Sequence, residues 1–450
     1  MSTPTHDPVT FDIIQNSLQA ISDEMFAAMR KTAMSAIIYE VLDMGTGICA
    51  ADGEIASSGA GIPAFIGVLD KAVKAVLRKH SVAAIHPGDV FATNDPFYGG
   101  VTHLNDMVLV MPVFAEGEIV AWTANIAHWN DVGGMVPGSM STDAVEIYQE
   151  GLRVPAIKII EKGVANQSVM DLLMVNSRLP AFLKGDMWAA IAAVRIGDKR
   201  ILDLVNKYGK DTVVAGFADV QDYVERAMRQ RLAALPDGVW ETQDFIDRDP
   251  SGGEGMIPVK VKMTKTGDRV IYDFTGSHPC IGSLYNSAFG STFSAVAAGM
   301  KTFFPDLPLN SGFYRPIEVI APEDTVVNAR WPVAVTGFLM PFEKIMNSIY
   351  EIWSGIMPQR AIACAFNLEY LLTGGRDRRA PAKPIFMFYD WLPGGWGGRN
   401  GRDGCNVTTA CFGTGLQSQP VEGQERGSPI LTMEYQVLTD SPGPGKWRGG

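Results

Sequence analysis

Cysteine is scarce and unpatterned in this chain. The five residues (Cys49, Cys280, Cys364, Cys405 and Cys411) are odd in number, scattered, and include no CxxC pair. Reduced thiols in a cytoplasmic protein therefore fit better than a disulfide framework or a thiolate zinc site. Long apolar runs are also missing. A bilayer span needs roughly 18–20 apolar residues, and the richest window, Ile119 to Ala127, is interrupted by Thr123 and Asn125. The opening decapeptide MSTPTHDPVT has neither the basic stretch nor the apolar core of a secretory leader. No membrane partner is expected, and the expected location is the cytoplasm. Basic runs are absent too, and the formal net charge is -11. Nucleic-acid binding needs a basic face, so no nucleic-acid partner is expected.

Signature loops are equally thin. Gly394-Gly-Trp-Gly-Gly398 is rich in glycine, but no Gly-Lys-Ser/Thr follows, so it is not a Walker A loop. It lacks the strand-then-helix setting of a dinucleotide fingerprint. No Gly-x-Ser-x-Gly elbow points to a serine hydrolase. If ATP is used, another chain must bind it.

What is present is the composition of a globular protein, 46% hydrophobic and 19% charged over 450 residues. At roughly 100–200 residues per domain this length predicts two to four units. Asp7-Pro8 reads as an N-cap followed by proline in the first turn. Ile14, Leu18, Ile21, Met25 and Met29 then recur at helical spacing, predicting a helix over 8–33. A short hairpin is expected from Glu40 through the turn at Ala51 to Glu54, and a second helix from Val68 to His80. From Pro87 to Gly138 turn residues alternate with short apolar runs. Helical patterning returns over 167–235, punctuated by Gly209 and Gly216. Period-two alternation at Val259 to Met263 and at Val270 to Phe274 predicts strands within 238–335. Helical runs recur at 288–303 and 340–366, and the last eighty residues read as glycine-rich loop. The expected fold is α+β (mixed α/β) and multi-domain, divided as 1–165, 166–237, 238–335 and 336–450.

Histidine is rare enough to be informative. Of six in the chain, two share one local pattern, His-x-x-Asp: His103-Leu-Asn-Asp106 and His128-Trp-Asn-Asp131. Between them, Met107 to Phe114 reads as a strand, Ala115 to Glu118 as a turn, and Ile119 to Ala127 as a second strand, which together make a β-hairpin. Folding about Glu116-Gly117 pairs position n with about 233 − n, so both motifs meet at the hairpin's open end. Opposed residues in antiparallel strands lie about 4.5–5.5 Å apart. Two imidazoles and two carboxylates converging there suit a borderline or hard divalent ion, Zn²⁺, Mn²⁺ or Fe²⁺, with zinc or manganese favoured. Pro112 cannot donate to a ladder and predicts an edge strand or a bulge. Asp95 could be aimed at the same site by the turn before Gly99-Gly100, although an Asx-turn explains it as well. Glu40 and Asp43 read as carboxylates at a solvated strand end.

The run Pro87-Gly-Asp-Val-Phe-Ala-Thr-Asn-Asp-Pro-Phe-Tyr-Gly-Gly100, followed by Thr102-His-Leu-Asn-Asp106, resembles the hydantoinase B/oxoprolinase family. So do Ala127-His-Trp-Asn-Asp-Val-Gly-Gly134, Pro137-Gly-Ser139, Glu146-Ile-Tyr-Gln-Glu-Gly-Leu-Arg153, Tyr272-Asp-Phe-Thr-Gly-Ser277, Arg315-Pro-Ile317 with Ala321-Pro322, and Trp447-Arg-Gly-Gly450. The resemblance covers essentially the whole chain. It implies a metal-binding subunit that works in a hetero-oligomer with a hydantoinase A-like, ATP-binding partner. Members include ATP-dependent hydantoinases, 5-oxoprolinases, lactamases and related ketone carboxylases. Matched position by position, the family's metal ligands fall on His103, Asp106, His128 and Asp131. One departure stands out: Trp129-Asn130 occupies positions where many hydantoinase-type members carry histidine and alanine. The expected function is ATP-dependent cleavage of a cyclic amide, with Asp95 and Glu40 as proton-transfer candidates. Carboxylation of a ketone at the same site, and a non-catalytic scaffold, are the alternatives.

Overall fold

The structure, a computed structural model, describes residues 7–364, 366–367 and 369–450. His6 and residue 365, within the helical run expected over 340–366, lie outside the described residues. Helix α1 (Pro8–Thr32) begins as its sequence dictates. The Asp7 carboxylate accepts from the Val9 and Thr10 amides, and the apolar stripe Ile14, Leu18, Met25 and Met29 is buried. The chain then makes a single helical turn, α2 (Ala36–Tyr39), before β1 (Met44–Ala50) and β2 (Ile55–Gly61). The expected hairpin is present, but it starts four residues later than Glu40. Helix α3 (Pro63–Lys79) starts at a proline suited to a first turn, five residues ahead of Val68.

Seven strands form one antiparallel sheet, ordered β2-β1-β5-β4-β3-β6-β7. Its remaining members are β3 (Val90–Thr93), β4 (Asp106–Ala115), β5 (Glu118–His128), β6 (Ile157–Glu161) and β7 (Val164–Ala165). Helices α4 (Gln167–Val175), α5 (Pro180–Tyr208) and α6 (Lys210–Ala233) follow. One face of the sheet carries α1 and α5: Thr46 Oγ1 donates to the Ser22 carbonyl at 2.8 Å, and Thr123 Oγ1 to the Val194 carbonyl at 2.9 Å. Asn125 Nδ2 likewise donates to the Ala190 carbonyl at 2.7 Å. The two polar residues that interrupt the apolar run of β5 are thus satisfied by helix backbone. The opposite face carries α3, so both faces of the central hairpin are buried.

A four-stranded sheet, β11-β10-β9-β8, is built from β8 (Gly238–Ile246), β9 (Ile257–Thr266), β10 (Arg269–Asp273) and β11 (Ile317–Ile320). Helices α7 (Phe289–Phe303), α8 (Ser311–Tyr314) and α9 (Leu339–Ile356) join it to the first sheet, with α7 packing on α3 and α9 on β8 and β9. The last eighty residues are not all loop. They hold the hairpin β12 (Glu369–Arg376) and β13 (Ile385–Leu392) and the short helix α10 (Val421–Gly427). The fold is mixed α/β, with three sheets among the described residues. One buried apolar cluster runs from Ile14 to Leu416 and draws on all four expected regions. No helix among the described residues is long and apolar enough to cross a membrane.

Candidate metal centre

The β4–β5 hairpin brings the two histidine motifs together, with one change of register. Near the tip the pairing follows 233 − n: Phe114 faces Ile119 and Ala115 faces Glu118. A bulge between Val113 and Phe114 then advances it by one, so Asp106 lies directly opposite His128. Pro112 is tolerated in a strand that is not an edge because β3 pairs only with Val108 to Val110, leaving that flank of Pro112 unladdered.

The motifs enter the hairpin in opposite directions, and this decides which residues meet. In the first, the aspartate opens a strand; in the second, the histidine closes one. His103 is folded back by a turn, with the Asp106 amide donating to its carbonyl at 3.1 Å. Its Nε2 lies 3.2 Å from Asp106 Oδ2. The His103 and His128 ring centroids are 5.2 Å apart. One ligand atom from each of His103, Asp106 and His128 falls within 4.8 Å of the others, and all three side chains are buried. Asn105 staples the open end: its side-chain amide donates to the Trp129 and Gly138 carbonyls, while its own backbone carbonyl accepts from the Trp129 amide.

Asp131 is not part of this group, which corrects the expected ligand set. Beyond the end of β5 its carboxylate accepts from the backbone amides of Gly133, Gly138 and Arg178 and pairs with the Arg178 guanidinium at 3.0 Å. Asp95 is also committed elsewhere. It pairs with Arg153 at 2.8 Å and accepts from the Phe97 and Tyr98 amides, which makes it the cap of an Asx-turn. Glu40 is half-buried at the end of α2 and lines neither of the cavities described below.

Asp43 departs from its expected place at a solvated strand end. It is 4% exposed and stands at the start of β1, where its carbonyl accepts from the His128 amide at 3.0 Å. It lines one small cavity with His103, Asp106 and His128. The signal that could have found it is the β1–β5 pairing, which aligns Met44 with Ala127 and so places the preceding Asp43 beside His128. That pairing is non-local, and the short apolar dipeptide Val41-Leu42 does not reveal it.

Electrostatics reinforce the grouping. Burial pushes the Asp43 carboxyl well up, and the neighbouring Asp106 adds to this. Burial acts on Asp106 in the same sense, but His103, His128 and the Thr102 hydroxyl outweigh it and hold that carboxyl below its ordinary range. Burial and the nearby His103 push His128 down to about 3, so its ring stays neutral through the physiological range. Neither ring nitrogen of His128 has a hydrogen-bond partner among the described residues, and neither has Asp106 Oδ1. Buried polar atoms without partners are costly. Two imidazoles and two carboxylates lining one small cavity, with unpartnered atoms on His128 and Asp106, fit a divalent cation in the borderline-to-hard range.

The cavity they line is about 20 Å³, room for a single water-sized occupant. A larger cavity of about 270 Å³ lies beside it, walled by the α1–α2 junction, the β12–β13 hairpin and α10. His128 and Tyr389 line both. The Tyr389 ring stacks on that of His128, with centroids 5.9 Å apart.

Comparison with known proteins places the chain in a family. Residues 7–450 match the family model described as hydantoinase B/oxoprolinase. The chain is 29% identical to the B-type subunit of a putative D-/L-hydantoinase from a Pseudomonas species, covering 99% of this chain and 76% of that one. It is 31% identical to the beta subunit of the caprolactamase of Pseudomonas jessenii, covering 99% and 77%. The crystal structure of the ATP-dependent caprolactamase from that organism superposes with a TM-score of 0.90 at 29% identity, again over 99% of this chain and 77% of that one. A nucleotide-free acetone carboxylase superposes at 0.91 over 98% of this chain and 61% of that one, but at 20% identity this likeness shows the fold alone. The chain belongs to the hydantoinase B/oxoprolinase family.

Proposed function

We propose that this chain is the metal-binding catalytic subunit of an ATP-dependent hydrolase of cyclic amides, of the hydantoin, oxoproline or lactam class. It works in a hetero-oligomer with a hydantoinase A-like subunit that binds ATP. The observation that carries this reading is the buried group of His103, Asp106 and His128 beside Asp43, with the His128 ring nitrogens and Asp106 Oδ1 unpartnered, around a water-sized cavity that adjoins a larger one. The relatives named as hydantoinase and caprolactamase subunits supply the substrate class and the ATP dependence.

In this reading His103, Asp106, His128 and Asp43 hold zinc or manganese, with iron as a further candidate. Such an ion would supply Lewis acidity toward a carbonyl oxygen or a water molecule. The chain's own residues do the rest. The neutral His128 ring keeps a lone pair available without first losing a proton. The larger cavity offers the ring a mixed seat, with Phe182, Leu372 and Met387 as apolar surface and Asn130 and Gln419 as polar partners. Asp95 and Glu40 have no part in proton transfer, because one is held by Arg153 and the other faces neither cavity.

The test is elemental analysis and turnover on the chain co-purified with its ATP-binding partner. About one transition-metal ion per chain is expected, with ATP-dependent ring opening of hydantoin, 5-oxoproline or caprolactam. In His103→Ala both should fall by more than the roughly 10–100-fold that loss of an outer partner costs. Unchanged metal content in that variant would sink the site. Retained turnover without metal would mark the chain as a scaffold. Bicarbonate-dependent consumption of a ketone, with no cyclic amide opened, would move the reading to a carboxylase.

A further inference from the structure

The segment Glu146 to Gly151 carries no role in the reading above, yet it is tied to the group through one contact. Glu150 is completely buried in the structure. Its Oε1 accepts from the Val335 and Thr336 backbone amides at 2.8 and 2.7 Å. Thr336, itself 1% exposed, places Oγ1 3.2 Å from His103 Nδ1. Two residues on, the Phe338 ring lies against the same imidazole, with centroids 5.3 Å apart. The two segments are laced together around these contacts. The Ile147 amide donates to the Pro332 carbonyl at 2.8 Å, and the Ala334 amide to the Val145 carbonyl at 3.1 Å. Glu150 therefore fixes the backbone that presents Thr336, and Thr336 occupies one of the two nitrogens of His103.

A neutral imidazole has one N–H and one lone pair, and whatever the first nitrogen bonds decides where the lone pair goes. A Thr336 hydroxyl accepting from Nδ1–H leaves the lone pair on Nε2, the nitrogen that faces Asp106 Oδ2 at 3.2 Å. Two electron-rich atoms at that separation repel unless a cation lies between them.

We propose that Glu150 and Thr336 form a positioning pair that sets the Nδ1–H tautomer of His103 and aims its Nε2 lone pair into the centre. This rests on the proposed metal-binding reading, and one experiment separates the two. Mn²⁺ is titrated calorimetrically into the intact chain and five variants: Thr336→Ser, Thr336→Val, Glu150→Gln, Glu150→Ala and His103→Ala. Thr336→Val and Glu150→Ala should weaken binding about 10–100-fold. Thr336→Ser keeps the hydroxyl and Glu150→Gln keeps the acceptor, so both should stay within a few-fold of wild type. Wild-type affinity in Thr336→Val, with binding lost in His103→Ala, would overturn the positioning pair and leave the site standing. Equal affinity in wild type and His103→Ala would overturn the site itself. Should Thr336→Val fail to fold, nitrogen-15 histidine spectra of the Zn²⁺-loaded wild type decide the matter. A proton on His103 Nδ1 supports the pair, and a bare Nδ1 refutes it.

Discussion

Glu150 makes the cost of a buried carboxyl measurable. Burial pushes its pKa up to about 8, against the pull of two backbone amides. In the unfolded chain the group ionises near 4.5. Between these values the folded state holds the proton and the unfolded state has lost it, so unfolding releases a proton and stability falls as pH rises. The contribution is complete below about 4.5 and is lost as pH climbs through about 8. At roughly 1.4 kcal/mol per pKa unit, the effect is on the order of a few kcal/mol. Glu150→Gln should remove this slope. Urea titrations at several pH values should show the variant gaining on wild type between pH 5 and 8. Parallel curves would mean that Glu150 is ionised in the folded protein. His103, Asp106 and His128 are legible as a group because two identical four-residue patterns flank a hairpin. Asp131 falls outside it because the patterns are identical while the strand boundaries that cut through them are not.

At the level of elements, the hairpin is legible from its turn and its alternating runs, and its register is not. The bulge between Val113 and Phe114 carries no glycine to announce it. What holds the hairpin in place is its contact with α5. Gly197 sits where any side chain would press on Thr123 of β5 and Met25 of α1, with Cβ-to-neighbour distances of 2.6 and 2.5 Å. Gly197→Val should therefore destabilise the protein by about 1–3 kcal/mol through overpacking. Chemical denaturation checks this, and an unchanged midpoint would show that α5 is free to shift. Helices with a clear apolar stripe, such as α1, can be read from the sequence almost to the residue. The β12–β13 hairpin is lost in a glycine-rich stretch, because strands carrying Gly374 and Gly375 and ending beside Gly394 and Gly395 do not alternate cleanly.

For the whole molecule, the composition points to several units, and the sequence pattern divides them at 165, 237 and 335. The buried cluster crosses all three divisions, because α7 and α9 fill the space between the two larger sheets. Such packing is non-local and leaves no mark on any short window of sequence. We propose that the four regions unfold together. Differential scanning calorimetry of the metal-free chain should show one transition whose calorimetric and van't Hoff enthalpies agree. Two or more resolved transitions would establish independent units instead.

The stacking of Tyr389 on His128 has a consequence for what kind of molecule can react. The space outside that aromatic pair holds about 270 Å³ and the space inside about 20 Å³. A five- to seven-membered ring fits the first and not the second. Under the proposed function, with Tyr389 in place, the body of the substrate would stay in the antechamber and only a single protruding atom would reach past the phenol to His103, Asp106 and His128. Selection is then made twice, by girth in the outer room and by the reach of one atom at the threshold. Molecules of the right size but with their reactive oxygen flanked by bulk would bind there and be released unchanged.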